Sequence, residues 1–175
     1  MYYLKQMIGE DKVNKALREM IDSYAYKNPP YPNAYDLADR LEQVTPDSLK
    51  YLIKDLFYDM TVFNLRALEA SYKKLDNGKY EVILIVLSEK YQADSLGRES
   101  KIAINDWIEI GVLSAPEKGK EQGKQIYSKQ MKITSDKNTF TFTVDQLPDK
   151  AGIDPNYYLI DRMPDDNLEE VEERK

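Results

Sequence analysis

The spacing of apolar residues changes once along the chain, near residue 61, and this change limits which folds are available. From Met1 to about Met60 the apolar residues recur three or four positions apart, which is helical spacing. After Thr61 they alternate at every second position, and turn sequences separate the alternating runs. The sequence therefore predicts an α+β chain, in which an N-terminal segment of about four helices precedes an antiparallel β-sandwich.

The first two helices are predicted from a stop signal and an apolar stripe. Gly9 is placed to end a helix over residues 1–8, because glycine tolerates the backbone angles that follow a helix. The second helix carries the clearest stripe in the chain. That stripe consists of Val13, Ala16, Leu17, Met20, Ile21 and Tyr24.

Two further helices are predicted after a proline-rich break. Three prolines between Lys27 and Asn33 cannot continue a helix, and a short third helix is expected over 34–44. For the fourth helix, Thr45 is the predicted N-cap and Pro46 fits the first helical position. Its apolar stripe extends to Met60.

The second part of the chain predicts six or seven strands. Asp76-Asn77-Gly78 favours a tight hairpin turn, and the apolar run 80–87 that follows is typical of a central strand. Further strands are expected over 107–113, 127–133, 140–144 and 157–160, of which the second and third form a predicted hairpin across the turn 135–138. The Glu-rich end, 168–175, is expected to be frayed or a short solvated helix.

Composition removes several kinds of chemistry. The chain contains no His and no Cys, which excludes imidazole bases, thiolate nucleophiles, disulfides and His- or Cys-based zinc sites within it. The change of apolar spacing divides the chain into helices at 1–61 and a sandwich at 62–160, and an acidic tail follows at 161–175. This tail contributes −4 of the net charge of −6. No basic block favours nucleic acid, and no apolar run is long enough to span a membrane.

Two segments are candidate binding sites, but neither fits a known binding motif. The stretch 24–35, YAYKNPPYPNAY, resembles a proline-motif ligand, but the order Tyr31-Pro32 does not fit the Pro-Pro-x-Tyr motif, so a connector packed on helices is preferred. The loop 116–124, PEKGKEQGK, lacks the Walker arrangement for phosphate, and its charges include Glu121 among the lysines. We interpret it as a mobile loop.

Several acidic residues are candidate metal ligands or catalytic groups. Asp154, Asp161, Asp165 and Asp166 cluster in sequence, yet their spacing matches no EF-hand loop, so turn and capping roles are preferred over calcium binding. Asp154-Pro155 is predicted to start a turn, and residues 164–167 are predicted to end the sheet. The pairs Glu10-Asp11 and Asp36 with Asp39 have ordinary surface spacing. No catalytic, cofactor-binding or metal-ligating residue is therefore assigned.

Three stretches carry a resemblance to a known family: MYYLKQMIGEDKVNKALREMI, TPDSLKYLIKDLFYDMTVFN and KAGIDPNYYLIDRMPDDN. Together they resemble the C-terminal portion of bacterial M1-family zinc aminopeptidases, of the kind fused to an ABC-type permease. The resemblance covers residues 1 to about 167. In that family a helical catalytic domain precedes a β-sandwich, which is the same order as the change of spacing in this chain.

The resemblance implies a noncatalytic role for this chain. The family holds zinc with an HExxH helix and a later glutamate, and neither His nor an HExxH motif is present here. We therefore expect a downstream fragment of a longer, membrane-associated zinc peptidase, without a cofactor of its own. Its expected partners are the upstream catalytic domain and a permease domain.

Two other functional classes remain open. One is a free-standing β-sandwich binding or adhesion module with a helical adaptor. The other is a catalytically dead peptidase relative that serves as a scaffold within a transporter. The peptide substrate and the oligomeric state are not predicted.

Overall fold

The computed structural model describes residues 1–120 and 122–174. Glu121, which the sequence analysis placed in the lysine-rich loop, and Lys175 at the end of the acidic tail lie outside the described residues. The chain divides into two compact units. One comprises Met1–Thr61 with Ala93–Arg98, and the other comprises Val62–Gln92 with the residues from Glu99 onward.

Three helices in the first unit form where the sequence predicts them. They are α1 (Tyr2–Ile8), α2 (Glu10–Tyr24) and α3 (Ala34–Val44). Gly9 ends α1 at a φ of 94°, and its N–H donates to the Lys5 carbonyl at 2.9 Å. Asn33 and Asp36 form a capping box at the start of α3, because each side chain accepts a backbone N–H from the other residue.

The predicted fourth helix is broken into three short pieces. A 3₁₀ turn (Asp47–Leu49) precedes α4 (Tyr51–Ile53), and a π-helical turn follows over Lys54–Tyr58. Thr45 does not cap this segment, because its hydroxyl donates to the Leu41 carbonyl at 2.7 Å and so completes α3. The prediction of a continuous fourth helix to Met60 was therefore wrong.

Eight strands form within the described residues from Met60 onward. They are β1 (Met60–Lys74), β2 (Tyr80–Ala93), β3 (Glu99–Ile102), β4 (Asp106–Leu113), β5 (Gln125–Ile133), β6 (Lys137–Val144), β7 (Lys150–Ile153) and β8 (Leu168–Glu173). Their order in the sheet is β3-β2-β1-β8-β7-β4-β5, and β6 pairs with β2. The predicted change from helix to strand near residue 61 is thus confirmed, since β1 begins at Met60.

The strands form one curled, mixed sheet. The predicted antiparallel β-sandwich is not confirmed, and the sheet is not wholly antiparallel, because β1 and β8 run parallel with Ala70 opposite Val171. The first predicted hairpin is confirmed. Gly78 adopts a φ of 81°, and its N–H donates to the Leu75 carbonyl at 3.0 Å.

The second predicted hairpin was wrong. β5 pairs with β4, and β6 pairs with β2 from Tyr80 opposite Val144 to Leu87 opposite Lys137. Between β5 and β6 the contact comes from side chains, because the rings of Tyr127 and Phe142 stack with centroids 4.4 Å apart. The two strands are neighbours in sequence, but each satisfies its backbone with a different partner.

The C-terminal segment differs from its prediction in two places. Residues 157–160 are not a strand, because Asp154 and Tyr157 adopt φ angles of 46° and 54° and turn the chain out of the extended conformation. The Glu-rich end is not frayed: β8 lies between β1 and β7, and Val171 packs against the core. The prediction that residues 164–167 end the sheet was therefore wrong, because these residues lead into a further strand, β8.

The core of the second unit lies on one face of the sheet. It comprises alternate residues of β1, β2 and β4 together with residues of the shorter strands. Its largest fully buried side chains include Leu65, Leu84, Ile108, Ile110, Ile133 and Ile153. The predicted period of two is confirmed in the first part of β1, where burial alternates over 61–67. β2 is a central strand, as its apolar run predicts, because it lies between β3 and β1 and also pairs with β6.

One ion-pair cluster on this sheet predicts a pH-dependent stability. Hydrogen bonds from Lys101, Asn64 and Tyr91 lower the pKa of Glu89 to about 2. Because this value lies below that of an unfolded glutamate, the stabilisation is present above about pH 4.5 and is lost as the pH falls toward about 2. We expect Glu89→Gln to remove about 1–2 kcal/mol at neutral pH, which is less than the full pKa shift implies because solvent screens the 41% exposed Lys101, and less than half of that at pH ~3, as measured by urea unfolding. An equal loss at both pH values would contradict this assignment.

Candidate functional site

An open apolar groove lies on the helical unit. It is lined by Leu17, Met20, Ile21, Tyr24, Ala25 and Pro32, and its volume is about 430 Å³. Four of these residues belong to the predicted stripe of α2. Val13 and Ala16 from the same stripe are buried, whereas Ile21 is 55% exposed. The C-terminal half of the stripe therefore presents apolar surface that the described chain leaves open to solvent.

The tyrosines around this groove have different environments. Tyr24 donates its hydroxyl to Asp36 Oδ1 at 2.9 Å, and this hydrogen bond raises the pKa of Tyr24. Tyr35 stacks on Tyr58 with ring centroids 5.7 Å apart. Tyr26 and Tyr31 are exposed. The predicted packing of the connector tyrosines on helices is thus confirmed for Tyr24 and wrong for Tyr26 and Tyr31. Tyr35 stacks on Tyr58 but is 63% exposed.

Three of the four acids in the two helical pairs, Glu10, Asp36 and Asp39, have structural contacts. Glu10 pairs with Lys5 at 2.8 Å, and Asp36 belongs to the capping box of α3. Asp39 accepts a hydrogen bond from the Tyr58 hydroxyl at 3.2 Å. These groups hold local structure together.

On the sheet unit, Asp154 is the most buried of the four clustered aspartates. Its side chain is 2% exposed and accepts backbone N–H groups from Tyr158 and Leu159 at 3.0 and 2.9 Å. Burial raises the pKa of Asp154, and the two backbone hydrogen bonds oppose this shift. The predicted turn at Asp154-Pro155 is confirmed, because the Tyr157 N–H donates to the Asp154 carbonyl at 3.0 Å.

The other three aspartates lie on the connection from β7 to β8. Asp161 accepts the N–H groups of Leu65 and Met163 at 3.4 and 3.3 Å. Asp166 lies 3.6 Å from Arg66, and burial raises its pKa. Asp165 is exposed. Within 1–120 and 122–174, no three acidic, His or Cys side chains come together as a possible metal site.

Two buried polar clusters were missed by the sequence analysis. Lys90 Nζ lies 3.0 Å from Asp106 Oδ1, and both residues are buried. Glu109, in the middle of an apolar strand, accepts hydrogen bonds from Gln125, Ser128 and Asn156 at 2.6, 2.5 and 3.1 Å. An acid within an apolar run, as in WIEIGVL, is the only sequence signal for the second cluster.

The lysine-rich loop borders a small cavity on the sheet unit. Its Glu117 pairs with Lys120 at 3.0 Å and with Lys124 at 2.5 Å. The cavity has a volume of about 250 Å³, and its lining includes Leu113, Tyr157 and Leu168. The cavity walls combine apolar side chains with polar groups, which is typical of small-molecule sites.

Comparisons with known proteins assign no family. No protein-family model matches the chain, and no curated protein matches it. Among the helices of the described residues, none is long and apolar enough to cross a membrane.

Proposed function

We propose that this chain is a noncatalytic C-terminal region of an M1-like zinc metallopeptidase. In this role it supports the catalytic domain and helps to shape access to the substrate cleft. The zinc ligands would lie in the catalytic domain, because this chain has no His and no Cys. The curled sheet takes the place of the β-sandwich that follows the catalytic domain in that family.

The observation that carries the proposal is the open groove on α2. A helical segment of about 60 residues is small for an independent core. Here the stripe of its longest helix is only half covered: Ala16 is buried, whereas Ile21 is exposed. We assign the groove to one occupant, a helix of the upstream catalytic domain, because the helical segment lies in the part of the resemblance that belongs to that domain.

Two features support the same assignment. The helix-to-strand order agrees with the family, and two of the three resembling stretches contain α1, most of α2 and the segment that joins the helices to β1. The location of the whole peptidase at a membrane, through a permease domain, is part of the proposal and rests on the resemblance alone.

The groove can be tested with an environment-sensitive dye. We expect the chain to bind 1-anilinonaphthalene-8-sulfonate, and Ile21→Glu to remove most of this binding, because it places a charge in the apolar groove. Helix content by circular dichroism should stay unchanged, since Ile21 is already 55% exposed. Ile160→Glu, at a 64% exposed position of the sheet unit, is the matched control and should leave dye binding unchanged. A wild-type chain without dye binding would remove the support for this proposal.

A ligand-binding module is the second candidate function. It is favoured by the 250 Å³ cavity beside Tyr157. A catalytically dead scaffold has no separate observation in its favour, and only sequence upstream of this chain separates it from the first proposal.

A further inference from the structure

The turn between β1 and β2 exposes an Asn-Gly pair at its tip. Asn77 and Gly78 are both exposed, and Gly78 adopts a φ of 81° with open space where a side chain would begin. The chain contains nine asparagines, and Asn77 alone is followed by glycine. The next backbone nitrogen after Asn77 therefore belongs to the residue type that hinders its approach to a neighbouring side chain least.

Hydrogen bonds at the tip hold this pair in a closed turn. The Gly78 N–H donates to the Leu75 carbonyl at 3.0 Å, and the Leu75 N–H donates to the Lys79 carbonyl at 2.8 Å. The Lys79 N–H donates to Asn77 Oδ1 at 3.0 Å, so the Asn77 side chain folds back toward the residues that follow it. Because the Gly78 N–H is engaged, its nitrogen can react only when the turn opens, and exposed tips open locally far more often than a domain unfolds.

We propose that Asn77 is a site of spontaneous deamidation whose rate is set by opening of this turn. In the open turn the Gly78 nitrogen gives its proton to solvent and attacks Asn77 Cγ. A bond forms between these two atoms, the bond from Cγ to Nδ2 breaks, and Nδ2 takes a proton from solvent and leaves as ammonia. Water then hydrolyses either carbon–nitrogen bond of the cyclic succinimide, which leaves aspartate or isoaspartate at residue 77.

Both products change the hairpin. Aspartate at residue 77 adds a negative charge next to Asp76. Isoaspartate carries the main chain through the side-chain carbon, so it lengthens the turn by one carbon atom. The residue after the turn, Lys79, pairs with Asp145 at 2.8 Å, and β2 begins at Tyr80. A longer turn is therefore expected to loosen the pairing of β1 with β2 at this end.

Peptide mapping by mass spectrometry tests the proposal on the whole chain after prolonged incubation at mildly alkaline pH. We expect Asn77 to deamidate at least about tenfold faster than any of the other eight asparagines, which requires a barrier only about 1.4 kcal/mol lower. Asn28 is the internal control, because it is exposed but is followed by Pro29, which has no N–H. An Asn77 that stays intact, or that converts no faster than the other asparagines, would overturn the proposal.

The same mapping in guanidinium chloride separates the turn from the nucleophile. Unfolding releases the Gly78 N–H from the Leu75 carbonyl, so Asn77 should deamidate severalfold faster in the unfolded chain than in the folded chain. Equal rates in the two states would contradict the role of the turn. Gly78→Ala places a methyl group beside the attacking nitrogen and should slow the reaction of the unfolded chain severalfold. An unchanged rate in this variant would show that the Gly78 nitrogen is not the nucleophile.

Discussion

Replacing Gly152 by Ala is expected to destabilise the sheet by at least about 3 kcal/mol, a large part of the stability of an ordinary domain. A β-carbon at Gly152 would lie 1.8 Å from the Asn167 carbonyl oxygen and 2.9 Å from the Leu168 Cα. Both atoms belong to the backbone, so no side chain can rotate away to make room. The collision falls where β7 pairs with β8, with Gly152 opposite Leu168.

The stability loss can be measured by urea unfolding, with Gly78→Ala as the comparison. Gly78 adopts a positive φ but has open space around its Cα, so its replacement costs only about 1 kcal/mol through backbone conformation. Gly152→Ala within 1 kcal/mol of the wild type would mean that β8 does not lie against β7 as described.

Replacing Lys90 by Met is expected to cost about 3–5 kcal/mol, because it leaves the buried charge of Asp106 without its ammonium partner. Lys90 Nζ lies 3.0 and 3.2 Å from the two Asp106 carboxylate oxygens and 5.5 Å from the centre of the Phe63 ring. The two residues are 5% and 1% exposed, so water screens the pair little. The pair joins β2 to the start of β4.

A double variant distinguishes an unpaired charge from lost packing. Lys90→Met combined with Asp106→Asn should recover at least half of the loss in urea unfolding, because no buried charge remains. Lys137→Met, at an exposed position of β6, is the matched control and should stay within about 0.5 kcal/mol of the wild type. A Lys90→Met chain as stable as the wild type would show that the pair is not buried.

The helices and the first hairpin were predictable because their signals are local. The stripe of α2, the stop at Gly9 and the turn before Tyr80 each depend on a few neighbouring residues. The predicted cap of the fourth helix failed for an equally local reason, since the Thr45 hydroxyl donates to the Leu41 carbonyl at the end of α3. A threonine between two helices can cap the start of the second helix or donate to a carbonyl in the last turn of the first. The local sequence does not decide between these two roles.

Strand pairing was less predictable because alternation specifies a face and not a partner. β5 and β6 alternate as hairpin strands do, yet β6 pairs with β2, whose 14 residues offer a long edge. β8 was missed because four of its six residues are glutamates, which are depleted in strands. Its position between β1 and β7, with Val171 against the core, overrides that preference.

The candidate sites were predictable only in part. The apolar stripe of α2 was visible in sequence, but which half of it is covered depends on tertiary packing. Asp154 was recognised as a turn residue, whereas its burial and its two backbone partners require the fold. Lys90 and Asp106 are 16 positions apart, so nothing in the local sequence marks them as a pair.

The most direct test of the proposed function is to read the coding sequence upstream of the Met1 codon. Our account predicts an open frame that encodes an HExxH motif and a later glutamate, which supply the zinc ligands that this chain lacks. An open frame without these ligands, or a stop codon followed by a ribosome-binding site, would contradict the assignment to a zinc peptidase.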